Sequence, residues 1–225
     1  MRRMPILFSL VWLLACERNP PATSSAMAPV SETPSTVPAV TQRTLVFLGD
    51  SLTAGLGLPL EQSFPSLIEA RLRAGHRPWK VVNAGVSGDT TAGGLARLDW
   101  VYKQKVDVLV VALGANDGLR GIPVSDTEKN LRAILRRARK EGSRVLLAGL
   151  RLPDNFGPDA QVRFAAIYPR LASEFHVPLV PFLLEGVAMD PSLNQSDGIH
   201  PNTKGARKVA DHLWEKLEPL LNALR

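Results

Sequence analysis

Cysteine is nearly absent from this chain. Of 225 residues only Cys16 is one, so no disulfide framework holds the fold and no catalytic thiol lies beyond position 16. Aromatic residues are sparse at 6%, and no basic run is interleaved with them, which argues against a nucleic-acid partner. No apolar run reaches the roughly 20 residues of a membrane-spanning helix. Internal repeats, a Walker loop, a G-x-G-x-x-G turn and an H-E-x-x-H pair are all missing, which removes solenoid, nucleotide-phosphate and zinc-protease readings. Neither a metal nor a cofactor is implied.

What is present begins with a short basic region, Arg2 and Arg3, followed by an apolar core from Ile6 to Ala15. That core is too short to cross a bilayer and has the pattern of a secretory signal. It ends Leu13-Leu14-Ala15-Cys16, which resembles the lipobox of bacterial lipoproteins; the resemblance implies cleavage before Cys16 and lipidation of its thiol. Residues 1–15 are therefore expected to be a signal peptide. Residues 16–43, rich in Pro, Ser, Thr and Ala without periodicity, are expected to be a disordered tether about 30 Å or more in reach. An extracytoplasmic, membrane-anchored protein follows, on the periplasmic face. Glu17 stands where an aspartate is associated with inner-membrane retention, so the outer membrane is preferred.

Residues 44–225 then form one domain with a full core. The chain has 27 basic side chains, two of them in the signal, which leaves 25 against 21 acidic ones. The run Arg132, Arg136, Arg137, Arg139, Lys140 reads as a solvated helix face. Apolar runs at Leu45–Leu48, Trp79–Asn83, Val106–Leu113, Arg144–Leu150 and Val177–Phe182 read as strands, the third buried on both faces. Helices are expected from Ser63-Phe64-Pro65 to Gly75, from Thr90 or Thr91 through Val101, from the capping-box pattern Ser125-Asp126-Thr127-Glu128 to about Glu141, from Pro158 or Asp159 to Phe175 with a kink or break at Pro169, and from Thr203 to Ala223. Strand and helix alternate, which predicts a three-layer α/β/α fold: a flavodoxin-like, doubly wound parallel sheet of about five strands. Ligands in such sheets sit at the carboxyl ends of the strands.

The stretch Val46-Phe47-Leu48-Gly49-Asp50-Ser51-Leu52-Thr53-Ala54-Gly55 places Ser51 where the first strand gives way to a helix. Locally this is a nucleophile, an Asp/Ser helix cap, or a phosphate loop, the last disfavoured by the charge of Asp50. Three other stretches reach the same edge of the sheet: Asn83-Ala84-Gly85-Val86-Ser87-Gly88-Asp89-Thr90, Leu113-Gly114-Ala115-Asn116-Asp117-Gly118 and Asp197-Gly198-Ile199-His200-Pro201-Asn202.

Together, Gly49-Asp50-Ser51-Leu52, Ser87-Gly88-Asp89, Gly114-x-Asn116-Asp117 and Asp197-x-x-His200 resemble the four blocks of the GDSL/SGNH hydrolases, in order and across the whole domain. Gly94-Leu95-Ala96-Arg97-Leu98 and Asn116-Asp117-Gly118-Leu119-Arg120-Gly121 are similar to the arylesterase/thioesterase I/lysophospholipase branch. Ala115 departs from that branch, which often carries a second glycine there.

On this reading Ser51 is the nucleophile and needs a base. His76 lies in a polar loop, His176 at a helix C-terminus and His212 inside a helix. Only His200 stands in a turn beside a carboxylate, with Pro201 keeping it out of helical conformation. Asp197 would hold the other ring nitrogen. Ser51 N–H, Gly88 N–H and the Asn116 side chain would form the oxyanion hole. Asp50, Asp89, Asp117 and Asn83 are read as structural.

The expected activity is a Ser-His-Asp esterase acting on acyl esters or thioesters, including aryl esters and lysophospholipids, through an acyl-serine. Apolar residues at 151–157 and 182–189 are candidates for an acyl groove. The alternatives are a carbohydrate O-deacetylase on the same fold and a non-catalytic tethered binding module. The expected partners are a small acyl-ester or lysophospholipid substrate and a membrane reached through the lipid anchor, with no nucleic acid and a monomer as the default.

Overall fold

The computed structural model describes residues 42–224. The expected signal segment, Cys16 and the tether up to residue 41 lie outside them. Within them, β1 (Arg43–Gly49) starts one residue before the expected domain boundary.

Five strands form one parallel sheet: β1, β2 (Trp79–Gly85), β3 (Val108–Ala112), β4 (Arg144–Ala148) and β5 (Leu179–Val180), in the order β2-β1-β3-β4-β5. This is the expected doubly wound sheet. Strand order reverses at β1, so the crevice between the carboxyl ends of β1 and β3 is the place for a ligand. Register decides what meets there: Gly49 pairs with Gly85 of β2 on one side and with Ala112 of β3 on the other. The loops after all three strands therefore leave the sheet side by side.

The central strands are apolar throughout because helices cover both faces. Leu45 to Leu48 and Val108 to Val111 are at most 1% exposed, and each such side chain contributes about 1.5–3 kcal/mol on burial. One face carries α1 (Phe64–Ala74) packed against α2 (Thr203–Asn222). The other carries α3 (Thr91–Ala96), α4 (Val124–Lys140) and α5 (Ile167–Phe175), with α4 between its two neighbours. Thr127, Leu131, Ile134, Leu135 and Ala138 form the buried stripe of α4. On its outer side Arg132 pairs with Glu128 and Glu174, and Arg137 with Asp99 and Glu141.

Several boundaries differ from expectation, each for a local reason. The helix from Thr91 stops at Ala96 and a short turn, Leu98–Val101, follows, because Arg97 leaves helical geometry and sends its side chain inward. The capping box does not form: α4 begins at Val124 behind Pro123, and Glu128 pairs with Arg132 and Arg170 instead. Pro169 lies in the first turn of α5, and the chain breaks before it into a separate helix, Pro158–Ala165, as a proline ring crowds the carbonyl four residues back. Strand β5 has two residues, not six, since Pro178 and Pro181 flank it without donors for the ladder. Trp214 of α2 is half-buried, packed against the core and under Arg71 and Arg77.

Candidate active site

The first wall of the site is the turn after β1. Ser51–Ala54 makes one helical turn, capped by the Asp50 carboxylate, whose Oδ1 accepts the Leu52 N–H at 3.0 Å. Gly55, in the left-handed region at φ 76°, closes it. Gly49 is required here, because a Cβ would run into the Thr53 side chain and the Ala112 carbonyl. Ser51 is thereby pinned at the sheet edge and is 9% exposed.

The second wall is a loop that belongs to no strand. Asn194 and Pro201 form an isolated bridge, and Gln195 N–H donates to the His200 carbonyl at 2.8 Å. Asp197 Oδ1 accepts the Ile199 and His200 N–H groups at 2.9 and 3.0 Å. Its Oδ2 lies 2.6 Å from His200 Nδ1, and His200 Nε2 lies 2.9 Å from Ser51 Oγ. The backbone N–H groups of His200 and Ile199, then the imidazole, hold the Asp197 carboxyl down at about 2. A carboxylate against Nδ1 selects the tautomer with its proton there, which leaves the Nε2 lone pair facing the Ser51 hydroxyl. Gln195 ties the two walls together, its Nε2 donating to the Leu56 carbonyl at 2.7 Å and to the Pro201 carbonyl at 3.1 Å.

The third wall comes from the loops after β2 and β3. Gly88 sits at φ 81°, in a turn whose Val86 N–H donates to the Gly49 carbonyl at 3.0 Å. The Arg120 guanidinium holds the Gly88 carbonyl at 2.8 Å. Among the described residues the Gly88 N–H has no protein acceptor, and Ser51, as the first residue of its helical turn, has no intrahelical one. Asn116 Nδ2 donates to the Asp89 carbonyl at 2.9 Å and lies 3.4 Å from Asp50 Oδ2. Ala115, at the start of that turn, packs half-buried against the core.

The remaining acids brace these walls. Asp89 pairs with Arg97 at 2.7 Å, while Arg97 also donates to the Gly49 carbonyl at 3.0 Å. Asp117 is buried and accepts both the N–H and the hydroxyl of Thr91. Asn83 donates to the Thr53 carbonyl at 2.9 Å. Asp50 is fully buried, and burial pushes its carboxyl up to about 6 against the opposing pull of the Leu52 N–H and His200.

Of the other histidines, His76 and His176 are exposed with positive φ, and His212 lies 3.1 Å from the Phe182 carbonyl. None of the three reaches Ser51. Among the described residues no group of three or more His, Cys, Asp or Glu gathers to hold a metal.

Arg97, Arg120, Gln195 and Tyr168, which donates to the Leu113 carbonyl at 3.1 Å, were not singled out from sequence. For Arg97 and Arg120 the signal was their place in the stretches Gly94–Leu98 and Asn116–Gly121 that follow the second and third blocks. Beside Ser51 and His200 lies a slot of about 10 Å³, bounded by Leu52, Leu56, Leu58, Phe64 and Pro201; it has room for one water. The candidate groove residues Leu152, Leu183, Leu184 and Val187 are core instead, and Arg151 covers the ring of Phe182.

Residues 47–208 match the GDSL-like Lipase/Acylhydrolase family. The chain is 42% identical over 180 residues to Esterase TesA of Pseudomonas aeruginosa, covering 80% of this chain and 90% of that protein. It is 43% identical over 180 residues to Thioesterase 1/protease 1/lysophospholipase L1 of Escherichia coli, covering 80% and 85%. Among solved structures, the esterase EstA from Pseudoalteromonas, inhibited by monoethylphosphonate, superposes with a TM-score of 0.76 at 30% identity, over 80% of this chain and all of that one.

Proposed function

This chain belongs to the GDSL-like lipase/acylhydrolase family and is a carboxylic ester hydrolase; from that premise we propose that Ser51, His200 and Asp197 carry the reaction through an acyl-serine intermediate. The observation that supports this most is the unbroken chain of contacts from Asp197 Oδ2 through His200 to Ser51 Oγ.

His200 Nε2 takes the Ser51 proton as Oγ attacks the acyl carbonyl, and Asp197 stabilises the imidazolium so formed. The carbonyl oxygen becomes an oxyanion facing the Gly88 and Ser51 N–H groups and the Asn116 amide, each donor being worth about 10²–10³ in turnover. His200 then returns the proton to the leaving oxygen or sulfur, and a water attacks the acyl-serine by the same route.

Each of the four loops at this edge carries an exposed aliphatic side chain: Leu56, Val86, Leu119 and Ile199. These would cover an acyl chain lying across the surface, since the slot beside Ser51 is too small to enclose one. Aryl esters, acyl thioesters and lysophospholipids fit this arrangement, and the last two fit the name of the Escherichia coli relative. The lipobox-like Leu13-Leu14-Ala15-Cys16 supports lipidation at Cys16. A monomeric domain tethered to the periplasmic side of the membrane would meet lysophospholipids and other acyl esters more often than acyl-CoA.

Protein from Arg43 onward, assayed on p-nitrophenyl esters from acetate to palmitate beside Ser51→Ala, tests the reading. Turnover of medium or long chains that vanishes in the variant is the expected result. Activity on acetate alone would favour a deacetylase, and activity untouched by the substitution would remove the mechanism.

A further inference from the structure

Beside the nucleophile lies a carboxylate that the mechanism above leaves unused. Asp50 has no exposed surface, and its Oδ1 is committed to capping the helical turn through the Leu52 N–H. Its Oδ2 points instead at the side chain of Asn116, 3.4 Å from Nδ2, and the same nitrogen lies 2.9 Å from the Asp89 carbonyl. Two oxygens therefore face one end of this amide. A primary amide has a donor end and an acceptor end of nearly equal shape, so only its neighbours decide which way it stands. Turned over, Asn116 would set its own oxygen against two others.

We infer that Asp50 is a positioning residue for the oxyanion hole: its Oδ2, together with the Asp89 carbonyl, holds Asn116 with its NH₂ rather than its carbonyl toward the substrate oxygen. This rests on the reading of Asn116 as an oxyanion donor. The two contacts are unequal in a useful way. The shorter bond to Asp89 takes one amide hydrogen and fixes the group. The longer one to Asp50 holds the second hydrogen loosely, so a developing oxyanion can draw on it.

The charge of Asp50 suits the part. Burial raises its pKa to about 6, so at pH 8 it is an ionised acceptor. Around it stand the His200 imidazole, the Asp89 carboxylate with its partner Arg97, and the buried hydroxyl of Tyr168. As the oxyanion forms, His200 gains a proton, and its charge offsets the negative charge gathered on this side.

A double-mutant cycle at pH 8 separates this role from mere support of the turn. Asp50→Asn keeps an oxygen for the Leu52 N–H but puts an NH₂ where Oδ2 stood, which favours the overturned Asn116. Alone it should lower kcat about 10- to 100-fold, within the loss typical of one oxyanion donor, with KM changed less than about threefold and the Tm within a few degrees. In an Asn116→Ala background the same substitution should cost less than about threefold in kcat, because the group it acts through is gone. Should Asp50→Asn not fold, Asp50→Ser keeps a capping oxygen, removes the second acceptor and enters the same cycle. Losses that multiply in the double variant would overturn the inference while leaving Ser51 and His200 untouched. Full activity in Asn116→Ala would overturn it by removing its premise.

Discussion

Ser51, Gly88 and Asn116 stand just beyond the ends of β1, β2 and β3, whereas Asp197 and His200 stand on a loop outside the sheet. The first group follows strands whose register sets Gly49 against Gly85 and Ala112, and β1 and β3 are buried. Ser51, with Leu52 and Thr53 buried behind it, cannot shift without shifting core. The second group is placed largely by hydrogen bonds: Asp197 to the N–H groups of residues 199 and 200, the Asn194–Pro201 bridge, and Gln195 across to Leu56. The nucleophile thus shares the stability of the core, while the base is held largely by a few bonds, each worth a net 0.5–1.5 kcal/mol or so.

The two carboxylates at the site repeat the contrast. Asp50 is buried and its pKa is pushed up to about 6; Asp197 is 45% exposed at its side chain and held at about 2. Burial dominates the first and hydrogen bonding the second. A carboxylate in water needs little help to stay ionised beside an imidazolium. One enclosed in the core carries an energetic penalty and is kept for what its oxygens orient.

The comparison can be broken from either side. Ser51→Ala removes the nucleophile, and kcat should fall about 10⁴-fold or more, with a Tm close to the parent's. Asp197→Asn should cost about 10³-fold in kcat, less than the roughly 10⁴ of a buried triad carboxylate, since water reaches this side of His200. A loss beyond that would show that the loop carboxylate acts as though buried.

Asp50 is expected to govern stability through pH. Its native pKa lies above the ordinary 3.8, so the native fold binds this proton more tightly than the unfolded chain does. Its contribution is full below pH 4 and is lost as pH rises through 6, a change on the order of 3 kcal/mol. Urea unfolding at pH 4.5 and pH 8 should show a smaller difference in Asp50→Asn than in the parent. The smallest effect belongs to Gln195→Ala: about 10-fold in kcat/KM from a loosened His200 loop, with the Tm little altered because no core contact is lost.

Much of this arrangement is legible in the sequence. The buried runs in β1 and β3 are continuous enough to read as central strands, and the glycine-rich loops after them carry the site. Asp197 and His200, three residues apart around Gly198, could be read as one turn. Other features depend on partners far along the chain. Arg97 reaches the Gly49 carbonyl across 48 residues, and Gln195 reaches Leu56 across 139, so no local pattern announces either. The apolar run at 177–182 is longer than β5, because Pro178 and Pro181 within it limit the ladder. The apolar residues at 183, 184 and 187 look like a groove in sequence and pack as core, since an apolar run does not say which way it faces.

The most direct test is to trap the covalent intermediate. Protein from Arg43 onward would be treated with a p-nitrophenyl phosphonate and analysed by intact mass and peptide mapping. A single phosphonyl group on Ser51, slowed by His200→Ala, is the expected result. Modification at another residue, or continued ester turnover after Ser51 is fully labelled, would contradict the account.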